Sequence, residues 1–164
     1  MAIHGNGIMK KPKCYQLIGV PGSGKSTWVN NQDWTMTCAY ISTDKWVDIY
    51  AKEVGKTYNE VFVDFMPTAV DLMCKEVIVA RELGRDIIWD QTSVNEKSRK
   101  KKFQMLPNYY HIAVVFRTPE HEELMRRLHN RPGKNIPDNV VSSMIDHFEM
   151  PTEAEGFKEI WYAN

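Results

Sequence analysis

The sequence predicts an α/β fold, a mainly parallel sheet with helices on both faces. Three observations carry this. Short apolar runs alternate with amphipathic stretches along most of the chain, the pattern of repeated βαβ units. The first apolar run leads into a glycine-rich loop and then a helical stretch. Two later runs end beside an aspartate, as strands do where a parallel sheet opens on a ligand crevice.

Residues 1–12 are mostly small, polar or basic and read as a loose arm. A single domain is expected over 13–164. Tyr15–Ile18 is the first strand, and a helix starts at Lys25 and runs to Asn31. Cys38–Ile41 is the second strand. Trp46 to Val54 reads as a helix, with Val47, Tyr50, Ala51 and Val54 near one face. Gly55 suits its C-cap. Tyr58–Phe65 is helical, and Pro67 either kinks this helix or opens a new one. Val70, Met73, Cys74, Val77 and Ala80 continue a helical stripe that Gly84 ends.

Asp86–Trp89 is the third strand. A basic helix follows from Glu96 to Leu106, then a fourth strand from His111 to Phe116. Pro119–Asn130 is helical, and Ile136-Pro137-Asp138 opens another helix carrying Val140, Met144 and Phe148. Phe157–Tyr162 reads as a fifth strand.

The chain has 164 residues, 43% of them hydrophobic, with 21 basic and 21 acidic residues. That composition excludes an intrinsically disordered chain. It also argues against a protein held on nucleic acid by bulk charge, while leaving one local site open. The longest clean apolar run, Ile112–Phe116, is far too short to cross a membrane. The N-terminus lacks the apolar core of an export signal. Cys14, Cys38 and Cys74 are odd in number and widely spaced. They suit reduced cysteines in a cytoplasmic protein better than a disulfide framework or zinc site.

The strongest motif is Gly19-Val20-Pro21-Gly22-Ser23-Gly24-Lys25-Ser26, a complete phosphate-binding loop between a strand and a helix. Its glycines let backbone N–H groups turn inward on phosphate oxygens, and the helix N-terminus adds partial positive charge. Lys25 is placed to reach the outer phosphates of ATP, and Ser26 to bind the bridging Mg²⁺. Asp44 follows the second strand. It is either a general base for an acceptor hydroxyl or an N-cap for the helix that follows. Asp90 ends the third strand and suits a carboxylate that orients Mg²⁺ or its water. Thr92, Ser93 and Asn95 are plausible caps.

Arg127 and Arg131 are four apart and share a face if the helix reaches that far. Arg131 stands where Pro132-Gly133 breaks the helix, so it can close over phosphates. The alternative is a solvated basic helix end. His129 reads as a surface residue. Lys97, Arg99, Lys100, Lys101 and Lys102 form the densest basic run, either a polyanion-steering face or a solvated one. The five tryptophans, Trp28, Trp34, Trp46, Trp89 and Trp161, are expected mostly in or beside the core. Trp46 is also the best candidate to stack on an acceptor base.

Residues 18–28 closely resemble the opening of the kinase domain of phage polynucleotide 5′-hydroxyl kinases. The similarity extends from about Lys13 to Tyr162. It includes Asp44, the segment Ile88-Trp89-Asp90-Gln91-Thr92, the arginine segment ending at Arg131 and the Ile136-Pro137 helix start. The tail Phe148-Glu149-Met150-Pro151 with Glu155-Gly156-Phe157 is similar to polynucleotide kinase tails more broadly.

The resemblance implies a three-layer P-loop kinase fold with a five-stranded, adenylate-kinase-like core and a short arginine-bearing lid. It implies ATP and Mg²⁺ as cofactors. Gly19, Pro21, Gly22, Ser23, Gly24, Lys25, Ser26 and Thr27 would surround the donor phosphates, with Arg127 and Arg131 from the lid. Ser26 and Asp90 would serve the metal, and Asp44 would be the general base. A phage-encoded chain would work in the host cytoplasm. One position departs: where those kinases carry an acceptor-phosphate arginine, three residues beyond the base, this chain has Val47.

The leading expectation is phosphoryl transfer to a hydroxyl of DNA or RNA, most simply the 5′-hydroxyl. The alternatives are transfer to a hydroxymethyl group on a pyrimidine base in DNA, a small nucleoside or metabolite kinase, and an ATP-binding switch without an acceptor.

Overall fold

The computed structural model describes residues 10–33 and 37–164. The first nine residues of the expected arm, and Trp34, lie outside the described residues.

Five parallel strands form one sheet in the order β2-β3-β1-β4-β5. They are β1 (Lys13–Ile18), β2 (Ala39–Ile41), β3 (Ile87–Asp90), β4 (Tyr110–Val115) and β5 (Glu159–Tyr162). The expected βαβ alternation is therefore present. The interior strands are mostly apolar because both sheet faces are covered, with Gln16 and His111 as buried polar exceptions. Alternate side chains feed two cores. Cys14, Ile87 and Trp89 pack with Met73, Val77 and Ala80 on one side. Tyr15, Leu17, Ile88, Ile112 and Val114 pack with Val29 on the other. Each fully buried Leu, Ile or Val side chain contributes about 1.5–3 kcal/mol.

The helices are α1 (Lys25–Asn30), α2 (Thr43–Glu53), α3 (Tyr58–Glu82), α4 (Glu96–Met105), α5 (His121–His129) and α6 (Asp138–Asp146). Helix α2 starts three residues earlier than the apolar pattern indicates. Ser42 caps it by accepting a hydrogen bond from the Lys45 N–H. It ends as expected at Gly55, whose φ is +67°. Val54, expected on the apolar face, is exposed.

Helix α3 is one continuous helix of 25 residues with Pro67 inside it. The proline neither opens a new helix nor interrupts this one. The carbonyl that would have bonded to its missing N–H belongs to Val63, which is 79% exposed, so water can take its place. A Thr57–Glu60 capping box fixes the helix start. Its buried stripe is Val61, Ala69, Met73, Val77 and Ala80, centred on Ala69 rather than the expected Val70, which is exposed.

Helix α4 corrects the basic-run expectation. Arg99 and Lys102 are buried. The Arg99 guanidinium donates to both Glu155 carboxylate oxygens at 2.7 and 3.1 Å and to the Ser93 and Glu149 carbonyls at 3.0 and 2.9 Å. Lys102 lies over the Trp89 ring, and burial pushes its ammonium down to about 8. The run is therefore not one cationic face. Asn95 caps α4 through the Ser98 N–H, whereas Thr92 and Ser93 cap no helix. Ser93 instead takes a left-handed turn, with φ +48°.

All three cysteines are free. Among the described residues no helix is long and apolar enough to cross a membrane.

Candidate active site

The strand order makes the site. The chain leaves β1 at the sheet centre toward β2, returns through β3 beside β1, and crosses to β4 on the far side. A crevice opens above the strand ends where the direction switches. Leu17 is in register with Asp90, and the Gly19 N–H donates to the Thr92 carbonyl at 2.9 Å. The loops after β1 and β3 therefore emerge side by side.

The glycine-rich loop is sterically demanding at Gly19. A Cβ there would lie 2.5 Å from Ser23 Oγ and 2.9 Å from Phe116 Cβ. Gly22 and Gly24 hold φ values of +82° and +99°, which favour glycine. Gly24 is the N-cap of α1 and makes no side-chain cap bond. A Cβ at Gly24 would meet no atom within 4 Å. Ser23 Oγ is buried without a hydrogen-bond partner. An uncapped helix start, an orphaned hydroxyl and open space at Gly24 fit a bound polyphosphate.

Lys25 folds back on its loop, donating to the Gly19 and Val20 carbonyls at 2.8 and 3.0 Å. Burial pushes its ammonium down to about 8, with Asp90 and Asp44 opposing and Arg131 and Lys134 adding to the fall. Those influences also show which groups converge on the crevice. Ser26 and Thr27 are exposed on the first turn of α1.

Asp44 is not the cap of α2, because Ser42 fills that role. Its Oδ1 accepts from the Tyr58 hydroxyl at 2.7 Å and its Oδ2 from Lys134 Nζ at 2.8 Å. Burial alone would raise this carboxyl. The Lys134 charge and hydrogen bond, the Tyr58 hydroxyl and the Lys25 charge outweigh it and hold the group below its ordinary value. Asp90 accepts a short hydrogen bond from the Tyr40 hydroxyl. Burial pushes its carboxyl up, against that bond and the Lys25 charge.

Helix α5 ends at His129. Arg131 therefore sits on the loop beyond it, and the face shared with Arg127 does not extend to it. Arg127 donates to Glu123 at 2.7 Å and to the Gly22 carbonyl of the phosphate loop at 3.0 Å. His129 is on the surface beside Asp138, at 3.1 Å. The loop after α5 docks on the start of α3. The Asn59 N–H donates to the Gly133 carbonyl at 3.0 Å, its side-chain amide to the Asn135 carbonyl at 2.8 Å, and the Asn135 N–H to Asn59 Oδ1 at 2.8 Å.

Val47 is fully buried among Ala51, Val61 and Ala69. Lys45 points away from Asp44, to Glu76 at 2.8 Å and the Tyr40 carbonyl at 3.0 Å. Trp46 packs against two cores, with the Lys45 ammonium over its ring. Its indole is therefore a packing group here, with its N–H buried and unpaired.

Tyr58, Lys134 and Tyr40 escaped the sequence reading. Lys134 stands within the Arg-rich segment and Tyr58 just after a helix cap, but neither position announces a partner far along the chain. Two surface grooves lie elsewhere. One of about 800 Å³ runs between α4 and α6, and one of about 610 Å³ runs between β2, α2 and α3. Neither includes Asp44 or the phosphate loop, and it is the convergence of charged groups at the crevice that marks the site. Among the described residues no cluster of three or more His, Cys, Asp or Glu could cage a metal ion. Mg²⁺ needs no such cage, since it commonly binds one or two protein oxygens together with substrate phosphates. Ser26 carries a hydroxyl on the first turn of α1, and Asp90 a carboxylate at the end of β3.

Known proteins share the sequence pattern and fold of this chain. The bifunctional polynucleotide phosphatase/kinase of Schizosaccharomyces pombe is 25% identical over 150 residues, covering 88% of this chain. The chain spans only 31% of that relative's length. A candidate kinase from Chloroflexus aurantiacus J-10-fl superposes with a TM-score of 0.69 at 15% identity, covering 94% of this chain and 85% of its own. A chain of the Pnkp1/Rnl/Hen1 RNA repair complex superposes with a TM-score of 0.64 at 22% identity, over 87% of this chain and 45% of that one. Small-molecule kinases share the fold too, among them a gluconokinase from Sinorhizobium meliloti 1021, with a TM-score of 0.51 at 16% identity, covering 93% of this chain and 82% of its own. The AAA_33 family model, described as an AAA domain, matches residues 16–151. The chain thus belongs to the AAA_33 family and has the fold of a P-loop kinase.

Proposed function

We propose that the chain transfers the γ-phosphoryl group of ATP to a hydroxyl carried by a polynucleotide, most simply the 5′-hydroxyl end. The observation that supports this most is the state of Asp44. It is relieved of capping, half-exposed, held ionised by Lys134 and Tyr58, and faces the same crevice as Lys25. A capping role does not account for an ionised, partly exposed carboxylate here, whereas a base must be ionised to take up the acceptor proton.

In this reading the acceptor oxygen attacks the γ-phosphorus and its proton passes to the Asp44 carboxylate. The bond from the γ-phosphorus to the β–γ bridging oxygen breaks, and ADP leaves. Lys25 and Arg131 neutralise charge on the transferring group. Gly19, Pro21, Gly22, Ser23, Gly24, Ser26 and Thr27 surround the polyphosphate, and Arg127 braces the loop at Gly22. Ser26 and Asp90 would hold Mg²⁺, which would supply charge neutralisation to the polyphosphate.

A second reading has a specific support. Val47 is wholly in the core, so position 47 offers no cation for a phosphate beside a 5′-terminal hydroxyl. A hydroxymethyl group on a pyrimidine base in DNA has less need of one at that point. The test is labelling from γ-labelled ATP with Mg²⁺. The acceptors are 5′-hydroxyl oligonucleotides, hydroxymethyl-base DNA with blocked ends, and free nucleosides. Label on 5′-hydroxyl ends supports the first reading, and label only on blocked modified DNA supports the second. Label only on nucleosides, or only as free phosphate, overturns both.

A further inference from the structure

Lys134 is the cation nearest the proposed base, yet nothing above uses it except to hold Asp44 ionised. Its ammonium lies 2.8 Å from Asp44 Oδ2 and 4.2 Å from the centroid of the Tyr58 ring. A lid latch would explain a lysine here, but the lid is already fastened on both sides of it. Gly133 and Asn135 each bond to Asn59. Lys45 is committed to Glu76, and Lys25 to the phosphate loop. Of the two cations that hold Asp44 below its ordinary value, Lys134 and Lys25, this leaves Lys134 for the acceptor side.

A polynucleotide hydroxyl brought to Asp44 comes with fixed phosphate charge close by. A lysine bound to a base weakens that base, so the resting contact is useful only if it is given up. We infer that Lys134 is an acceptor-phosphate hook: its ammonium rests on Asp44 in the free protein and moves to a phosphate of the incoming polynucleotide. A lysine suits the transfer, being a point charge on a flexible stem with three donors, and the Tyr58 ring stays beneath it as a platform. The exchange couples acceptor arrival to the strength of the base. This inference rests on the polynucleotide reading and serves either of its acceptor hydroxyls.

The test uses the full chain with Lys134→Ala and Lys134→Arg. The binding measurement is titration of a 5′-hydroxyl oligonucleotide across a salt series without ATP. Lys134→Ala is expected to weaken binding roughly tenfold and to lower the slope of log affinity against log salt by about one. Lys134→Arg is expected to keep most of both. In turnover, the oligonucleotide KM rises while the ATP KM holds. The acid limb of kcat/KM for the oligonucleotide moves to higher pH, since Tyr58, Lys25, Asp48 and Asp90 still face Asp44 in the free protein but its nearest cation is gone. A raised ATP KM with unchanged oligonucleotide binding would make Lys134 a latch and overturn the hook. Lys134-dependent binding without transfer to any polynucleotide hydroxyl would sink the parent reading and leave the hook standing. Transfer with an unchanged oligonucleotide KM in Lys134→Ala would do the reverse.

Discussion

On the proposed donor side, the stretch Gly19–Thr27 would supply most of the phosphate contacts from one loop and one helix turn. On the proposed acceptor side, Asp44, Tyr58 and Lys134 meet from α2, the start of α3 and the lid, and the Lys134–Asp44 contact spans 90 positions of sequence. The first is local chemistry with its own backbone geometry. The second exists only after the sheet and helices have folded. A P-loop scaffold can therefore keep its donor half while its acceptor half is rebuilt from distant single residues. That fits a fold shared with both polynucleotide and small-molecule kinases.

The largest test of that division is a pair of truncations. Lys25→Ala and Asp44→Ala are each expected to reduce transfer about 10²–10⁴-fold. They should part in a nucleotide titration, where Asp44→Ala binds ATP normally and Lys25→Ala does not. If Asp44→Ala transferred at a near-normal rate, the acceptor half would have to be redrawn.

Next in size is the brace that the buried Arg99 and Glu155 form. Glu155→Ala leaves the buried Arg99 guanidinium without its carboxylate and is expected to cost about 3–5 kcal/mol in denaturant unfolding. Lys97→Ala, on the same helix but outside the brace, should stay within about 0.5 kcal/mol. Equal losses would restore the idea of one uniform basic helix.

Titration probes the two halves separately. In the proposed reading Lys25 binds phosphate as an ammonium, and burial pushes that ammonium down to about 8. ATP affinity should be full below that pH and fall above it. Polyphosphate raises the group, so binding near pH 8 should take up a proton, visible by calorimetry in two buffers of different ionisation enthalpy. Asp44, held below the ordinary carboxylate value, should stay ionised through neutral pH and lose activity only well on the acid side.

The smallest effect is expected at Tyr58→Phe, which removes one donor from Asp44 and keeps the ring under Lys134. A fall in kcat of up to about tenfold is anticipated, with the acid limb moving to higher pH and the ATP KM unchanged.

Much of the fold was legible in the sequence because its signals are local. Apolar runs marked the strands, and the phosphate loop marked the β1–α1 turn. The errors share a cause. Helix α2 was started late because its first turn, Thr43 to Lys45, is polar, and a cap bond at Ser42 decides its start rather than an apolar stripe. The α4 run was read by charge alone, and charge does not reveal that Arg99 finds Glu155 across 56 positions. Pro67 looked disruptive because sequence does not show that the carbonyl it orphans faces water. Asp44 and Asp90 could be picked out as strand-end carboxylates. Their partners Tyr58, Lys134 and Tyr40 could not, because each partnership is a tertiary contact.

The Arg99 brace has a consequence for motion. The segment after α6 has neither helix nor strand until the single 3-10 turn at Glu153–Glu155. Yet its Glu149 N–H donates to the Val94 carbonyl at 2.8 Å, and the Glu149 carboxylate accepts from the Glu96 N–H at 2.6 Å. Irregular segments ordinarily exchange their amide hydrogens early. Here the Glu149 amide should exchange as slowly as amides in the sheet, and Glu155→Ala should release it first.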